Sequence, residues 1–360
     1  MNRWLRRIRH KPVSQVESVV DVATDDDLYY CFRLFLRREP DQGGWDFWKR
    51  QIDRYHITLQ ALIDNFLNSQ EFLERHFNTT YAYVFAAASQ IRLVELDGFK
   101  LCVRGNDFVI GAAIANTKSY EPHVTRELRR VLKASDVFLD IGANIGYFSM
   151  LAAAIVGESG KVIAFEPVQE NSELLKLSIK ENGFSNVVVY PYAVVEQAEM
   201  LLLVVGGSNG WIAPEQPQLR DDAPVPADTY DVALGTGHVF ARSVALDDFL
   251  GDVERIDVIK IDIEGAEPRA LRGMPSLIRK HRPVIFTEFF PFLLEQTSKT
   301  TPEAYLDSLR ALGYTIFVVE QDAISPAPQS NQQIMEAMEH STRAGINHLD
   351  LVAYPSAAAP

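Results

Sequence analysis

The stretch Val137-Phe-Leu-Asp-Ile-Gly-Ala-Asn-Ile-Gly146 is an apolar run that enters a glycine turn and continues into the helical stripe of Phe148, Leu151 and Ile155. At the carboxyl end of a strand, glycine admits close backbone approach and a helix N-terminus offers free N–H groups, the ingredients of a nucleotide-like cofactor site. Asp140, Gly142, Asn144 and Gly146 are therefore candidate cofactor-binding residues. A nicotinamide fingerprint needs G-x-G-x-x-G, whereas the other two positions counted from Gly142 hold Asn144 and Tyr147. That disfavours a dinucleotide dehydrogenase. Glu166 stands 24 residues after Gly142, at the end of the next apolar run in Ala164-Phe-Glu-Pro167. A carboxylate there suits the cis-diol of a ribose; its plainer reading is a complement to the dipole of the helix starting near Gln169. Farther along, Lys260, Asp262 and Glu264 alternate with Ile261 and Ile263 and so share one face of a strand. Glu288 ends the strand after that, which turns Asp262 and Glu288 toward one pocket.

Strand-like and helix-like segments must alternate to hold these residues at one edge. From Val137 they do, with strands at 137–141, 162–165, 187–194, 258–263, 284–288, 315–319 and 349–354, and helices beginning near Ile145, Gln169, Glu267 and Pro302. This pattern predicts an α/β domain built on a mostly parallel sheet. Between Gly206 and Val239 the alternation fails, and the segment reads either as a lid beside the cofactor or as a plain surface insertion. His238 at its end is a candidate base on such a lid, or a solvated loop histidine.

The 360 residues are 47% hydrophobic and 23% charged, an ordinary globular composition. With 35 basic against 48 acidic residues the net charge is −13, which excludes a general nucleic-acid binder held by phosphate contacts. Cys31 and Cys102, the sole cysteines, are too few for a disulfide scaffold or a thiolate zinc site and read as buried thiols. No apolar run is long enough for a spanning helix. Arg3, Arg6, Arg7, Arg9 and Lys11 surround Trp4, Leu5 and Ile8, either as a foot on an anionic membrane surface or as a frayed, solvated terminus.

Residues 25–78 read as four short helices around one small core. Leu28, Cys31, Phe32, Phe35 and Leu36 mark one helix face, and Arg38-Glu-Pro-Asp-Gln-Gly-Gly44 breaks it. Trp45 and Trp48 carry the second segment, Thr58 caps a third and Ser69 a fourth around Phe72. Leu34-Phe-Leu-Arg-Arg-Glu-Pro-Asp-Gln-Gly-Gly-Trp45 with Phe66-Leu-Asn-Ser-Gln-Glu-Phe72 resembles an uncharacterised helical module of bacterial cell-surface and glycan-modifying proteins. The resemblance implies a docking or positioning element. Trp45, Phe47 and Trp48 read first as core and second as stacking surfaces for sugar rings. Residues 79–134 are a connecting cap, with a hairpin at Asp97-Gly98.

The pattern D-x-G-A-N-x-G at 140–146 resembles the first motif of S-adenosylmethionine-dependent methyltransferases. Tyr120-Glu-Pro122, Phe165-Glu-Pro167, Ile259-Lys-Ile-Asp-Ile-Glu-Gly-Ala-Glu267, Arg282-Pro-Val-Ile-Phe-Thr-Glu288 and Leu312-Gly-Tyr314 together resemble the FkbM family of methyltransferases. The resemblance covers roughly residues 91 to 355. It implies a Rossmann-like doubly wound α/β sheet over 135–355, behind a small all-α domain, with a basic segment at 1–24 and a tail at 356–360. It also implies methyl transfer from S-adenosylmethionine to a hydroxyl oxygen, here of a sugar or glycan. Asp140, Gly142, Asn144 and Gly146 would cradle the methionine end, Glu166 the ribose, and Ala193 beside Tyr192 the adenine. Asp262 is then the first candidate for base or acceptor-positioning group, Glu288 the second and Glu264 the third. The Asp262–Glu288 pair is alternatively suited to a divalent cation that lowers the hydroxyl pKa. Lys260 reads also as an internal partner of an acid, and Glu264 and Glu267 as complements to the next helix. The expected location is cytoplasmic, with transient contact at the inner membrane, and the helical module docks a partner. A lipid or secondary-metabolite acceptor, and a scaffold that has lost turnover, are the competing readings.

Overall fold

The computed structural model describes residues 22–36, 38–67, 69, 71, 91–105, 107, 110–206, 208–213, 216, 229–231 and 236–356. The chain divides into two compact units. One contains the described residues before position 79 together with Glu336–Asn347; the other contains the remainder. The basic residues Arg3 to Lys11 lie outside the described residues.

In the smaller unit, three helices follow one another: α1 (Asp25–Leu34), α2 (Gln42–Tyr55) and α3 (Leu59–Leu67). Helix α1 opens on a reciprocal cap, in which Thr24 Oγ1 accepts the Asp27 N–H and the Asp27 carboxylate accepts the Thr24 N–H. Asp41 caps α2 by accepting the Gly44 N–H at 2.8 Å. Leu28, Phe32, Leu62 and Phe66 form the core, and Trp45 and Trp48 pack against it, so these indoles serve packing. The fourth helix expected around Phe72 lies outside the described residues. Asn65 Nδ2 donates to the Gly345 carbonyl at 3.3 Å, which ties Glu336–Asn347 into this unit although the chain segment lies within the 135–355 range.

The larger unit begins with the expected hairpin, β1 (Ile91–Glu95) and β2 (Lys100–Arg104), turned at Gly98 with φ +91°. Helices α4 (Ile110–Thr117) and α5 (Pro122–Val131) lead into β3 (Val137–Ile141), α6 (Tyr147–Val156), β4 (Lys161–Phe165), α7 (Gln169–Asn182) and β5 (Val187–Tyr190). Then come β6 (Ala193–Val194), β7 (Met200–Gly206), β8 (Asn209–Ile212), β9 (Thr229–Asp231), β10 (Thr236–Val244) and α8 (Leu246–Phe249). Strands β11 (Val258–Ile261), β12 (Val284–Phe289), β13 (Tyr314–Val318) and β14 (Leu349–Pro355) complete the sheet, with helix α9 (Glu267–Arg272) following β11.

The main sheet has seven strands in the order β13-β14-β12-β11-β3-β4-β5. All its pairings are parallel except those of β14 with β12 and β13. This is the α/β doubly wound class expected from the alternation. From β3 the chain steps outward to β4 and β5, then returns across β3 to β11, so the order reverses between β3 and β11. Ligands of such sheets bind at the carboxyl ends beside that switch point.

Two expectations fail locally. The 187–194 run is not one strand: β5 belongs to the main sheet and β6 to a second one. The 206–239 segment is not irregular throughout either, because β7, β8, β9 and β10 form an antiparallel sheet with β6 at its edge. These antiparallel strands lack the intervening helices that expose a parallel strand in sequence. His238 is an exposed residue of β10, paired in register with Val204.

Candidate functional site

A cavity of about 320 Å³ opens at the carboxyl ends of β3, β4, β11 and β12. Ile141, Phe165, Val194 and Ile212 give it apolar walls, and Tyr120, Trp211 and Phe290 give it aromatic ones. Gly142, Asn144, Glu166 and Ala193 line it, as do Asp262, Glu264 and Glu288. Asp140 and Gly146 do not.

The β3–β4 end is organised by backbone hydrogen bonds. The N–H groups of Gly142 and Ala143 both donate to the Phe165 carbonyl at 3.0 Å. Gly142 has φ +84°, and a Cβ there would sit 1.8 Å from the Asp262 carbonyl oxygen. Its freedom admits the close approach of β11's chain end, while the residue itself lines the cavity. Asn144 has φ +51°; its N–H donates to Glu166 Oε2 at 2.8 Å, and its Nδ2 donates to the Ser208 carbonyl at 2.9 Å. Asn171 Nδ2 donates to the same carbonyl at 2.8 Å. Two asparagines thus fix the β7–β8 turn, whose Asn209, Gly210 and Trp211 form a wall of the cavity.

Glu166 is buried, with Oε1 accepting the Val168 N–H at 2.9 Å. Burial pushes its carboxyl up to about 7, against the pull of the Val168 and Asn144 N–H bonds. The Asn171 side chain is a third donor toward it, and the carboxylate keeps acceptor capacity for a further donor. Gly146, with φ +94°, heads α6, where a Cβ would meet Leu175 at 2.3 Å; it is a packing glycine. Asp140 is buried behind the wall, accepting from Ser149 Oγ at 2.6 Å and opposing Lys260 on the neighbouring strand. Burial raises its carboxyl.

The β11–β12 end is organised by charge. Strand β11 stops at Ile261, two residues earlier than the apolar alternation suggests. Glu264 (φ +54°) and Gly265 (φ +89°) turn the chain, and Glu267 Oε1 accepts the N–H groups of Ile263 and Gly265 at 2.9 and 3.3 Å. Lys260 and Asp262 stay on one side of the chain, with the Asp262 N–H still donating to the Ile141 carbonyl at 3.0 Å, whereas Glu264 leaves that alternation and reaches the cavity through the turn. Lys260 Nζ donates to Asp262 Oδ2 at 2.6 Å and lies 4.5 Å from the centroid of the Phe148 ring. Burial opposes its charge, but Asp262, Glu121 and Asp140 outweigh it and hold the ammonium above the ordinary lysine range.

Burial first, then the Asp262 charge, pushes Glu264 up to about 8. The same two causes raise Glu288 well above the carboxylate range. Its Oε2 is buried with no partner among the described residues, and Oε1 lies 3.8 Å from His348 Nδ1. Glu121, from the cap, also faces the cavity; burial pushes it up to about 8, and its Oε2 too is buried without a partner among the described residues. Sequence reasoning quoted Tyr120-Glu-Pro122 without giving Glu121 a role. The available signal was a glutamate at a position before an N1 proline where Ser, Thr, Asp or Asn is the usual cap. His348, Phe290 and Trp211 were missed as well. Among the described residues no group of three or more His, Cys, Asp or Glu is arranged to hold a metal ion, which leaves the divalent-cation expectation without a ligand set.

Residues 140–316 match the family profile described as "Methyltransferase FkbM domain", and residues 17–76 match "Domain of unknown function (DUF4214)". A protein-L-isoaspartate O-methyltransferase of Methanococcus aeolicus is 40% identical over 58 residues, 16% of this chain and 27% of that protein. A second such enzyme, from Archaeoglobus fulgidus, is 40% identical over 58 residues, 16% of this chain and 26% of that one. The chain thus spans about a quarter of the length of these curated relatives. A methyltransferase FkbM structure from Methylobacillus flagellatus superposes with a TM-score of 0.37 at 14% identity, covering 87% of this chain and 72% of that chain. No helix among the described residues is long and apolar enough to cross a membrane.

Proposed function

Residues 140–316 belong to the FkbM family of methyltransferases, and from that premise we propose that the chain transfers a methyl group from S-adenosylmethionine to a hydroxyl oxygen of a sugar or glycan. The observation that carries this reading is the two-ended cavity, with Glu166 at the end of β4 and Asp262, Glu264 and Glu288 across from it. The residues fit the cofactor. Glu166 has acceptor capacity left for a cis-diol, and Ala193, Val194 and Phe165 offer an apolar slot for adenine. When bound, S-adenosylmethionine supplies an electrophilic methyl group.

The chain's own residues do the rest. Apolar walls exclude water, and holding the acceptor in line supplies much of the rate. A carboxylate at the hydroxyl accepts its proton, worth roughly 10²–10⁴-fold; Asp262, Glu288 and Glu264 position the acceptor at that end. A hydroxyl-rich acceptor suits this wall because carboxylates accept its O–H groups and Tyr120, Trp211 and Phe290 meet its C–H faces. The enzyme is read as cytoplasmic, with the helical unit as a docking element and no nucleic-acid partner.

Calorimetric titration of the full chain with S-adenosylmethionine tests the reading. We expect micromolar binding that weakens about 10–100-fold in Glu166→Ala, the worth of hydrogen bonds to a charged group. Circular dichroism must accompany the variant, since the N–H groups of Asn144 and Val168 lose their acceptor. A folded wild-type protein that binds neither S-adenosylmethionine nor S-adenosylhomocysteine would sink the proposal.

A further inference from the structure

Five carboxylates line one cavity: Glu166 at the β4 end, and Glu121, Asp262, Glu264 and Glu288 around a single ammonium, Lys260. That ammonium is committed to Asp262 at 2.6 Å. Glu121 and Glu288 each keep an oxygen that is buried and unpartnered among the described residues. An ionised oxygen so placed forfeits its hydration with nothing in return, so the state of lower energy carries a proton. Glu121 is also held there against its own backbone preference. It has φ +39° directly before Pro122, and a left-handed residue before proline persists only where its surroundings impose it.

Resting on the reading of this cavity as a methyl-donor site, we infer that Glu121 is its proton-exchanging carboxylate, losing a proton when the donor's sulfonium enters and regaining one from the acceptor hydroxyl as the methyl moves. The step balances. An oxygen lone pair forms the O–CH₃ bond, the S–CH₃ bond breaks with its electron pair left on sulfur, and the hydroxyl proton passes to Glu121 Oε2. Sulfonium plus carboxylate becomes neutral thioether plus carboxylic acid, so the buried charge is the same before and after. The proton set free over a full turnover leaves at donor binding, not at transfer.

The groups acting on Glu121 come from each side of the cavity. Tyr120 of its own segment hydrogen-bonds it, Lys260 favours its charge, and Asp262 and Asp350, from the β11 end and β14, oppose it. Asp140 beneath Lys260 shares that ammonium. Burial with these neighbours lifts Glu121 to about 8, so the protonated form prevails at neutral pH in the free protein. A cation arriving beside it reverses that balance.

Calorimetry of the full chain with S-adenosylmethionine, and separately with S-adenosylhomocysteine, in phosphate and in Tris counts the protons exchanged, because the two buffers differ in heat of ionisation. At pH 7 we expect on the order of one proton released by the sulfonium ligand and far less by the thioether. Glu121→Gln should remove most of that difference. The affinity ratio of the two ligands should climb by up to about tenfold per pH unit and level off near pH 8. Equal proton release by the two ligands, or undiminished release in Glu121→Gln, overturns the inference while leaving the methyl-donor reading intact. Absence of binding heat in every buffer overturns that reading, and this inference with it. Should the variant fail to fold, a ratio that stays flat between pH 6 and 8 in the wild type is the overturning result.

Discussion

The two ends of the cavity are built on opposite principles. At the β3–β4 end the carboxylate and amide side chains that line the cavity are held by the backbone: Glu166 accepts two N–H groups, and Asn144 and Asn171 share the Ser208 carbonyl. At the β11–β12 end carboxylates crowd one lysine, and Oε2 of each of Glu121, Glu267 and Glu288 has no hydrogen-bond partner among the described residues. The first end is hydrogen-bonded before any ligand arrives. The second is incompletely satisfied, as sites that act on their ligands often are, and its ligand supplies what the protein withholds.

If this contrast is right, the ends should respond differently to damage. The largest effect is expected where they touch. Gly142→Ala would drive a Cβ into the Asp262 carbonyl at a φ of +84°, and we expect a loss of roughly 5 kcal/mol or more, or no folded protein, by urea denaturation. A variant of near wild-type stability would mean that the ends are not backbone-coupled. Next, Lys260→Met should cost about 3–5 kcal/mol at pH 8, because it strands buried carboxylates. The loss should shrink toward pH 5. Glu121 and Glu264 have folded-state values raised from 4.5 to about 8, so the folded chain binds more protons than the unfolded one in that window. Their contribution to stability is present below pH 4.5 and is lost as the pH rises through 8. Thermal unfolding from pH 5 to 8.5 checks both slopes, and a Lys260→Met penalty independent of pH would contradict the charge-organised end. The smallest effect belongs to His238→Ala. This exposed β10 residue is outside the cavity wall, and donor affinity should stay within about twofold by calorimetry.

The same contrast decides what the sequence could reveal. Glycine turns and strand-end carboxylates have local signatures, so Gly142, Asn144 and Glu166 are legible from Val137 to Pro167 alone. The doubly wound sheet follows from the alternation for the same reason. Glu121 is different, since its importance arises only when a cap segment is laid over the ends of strands more than a hundred positions away. The end of β11 misleads because Ile261 and Ile263 continue an alternation that the backbone has already abandoned for a turn at Glu264. The antiparallel β7–β10 strands were hidden by a glycine-rich turn and by the absence of intervening helices. Asp140 and Gly146 were correctly placed on their elements, but they face protein: one opposes Lys260, the other clears Leu175.

Strand β14 lies between β12 and β13, with His348 just before it at the cavity and Asp350 on it opposite Glu288. On a ribosome, β13 would emerge before the strand it pairs with, and the edge of β12 would wait beside it uncovered. Until position 355 has cleared the exit tunnel, the nascent chain carries two open β-edges, the surfaces that self-associate or engage chaperones. A translational pause within the last strand would therefore prolong an aggregation-prone species, whereas one within β7–β10 would leave these two strands unmade.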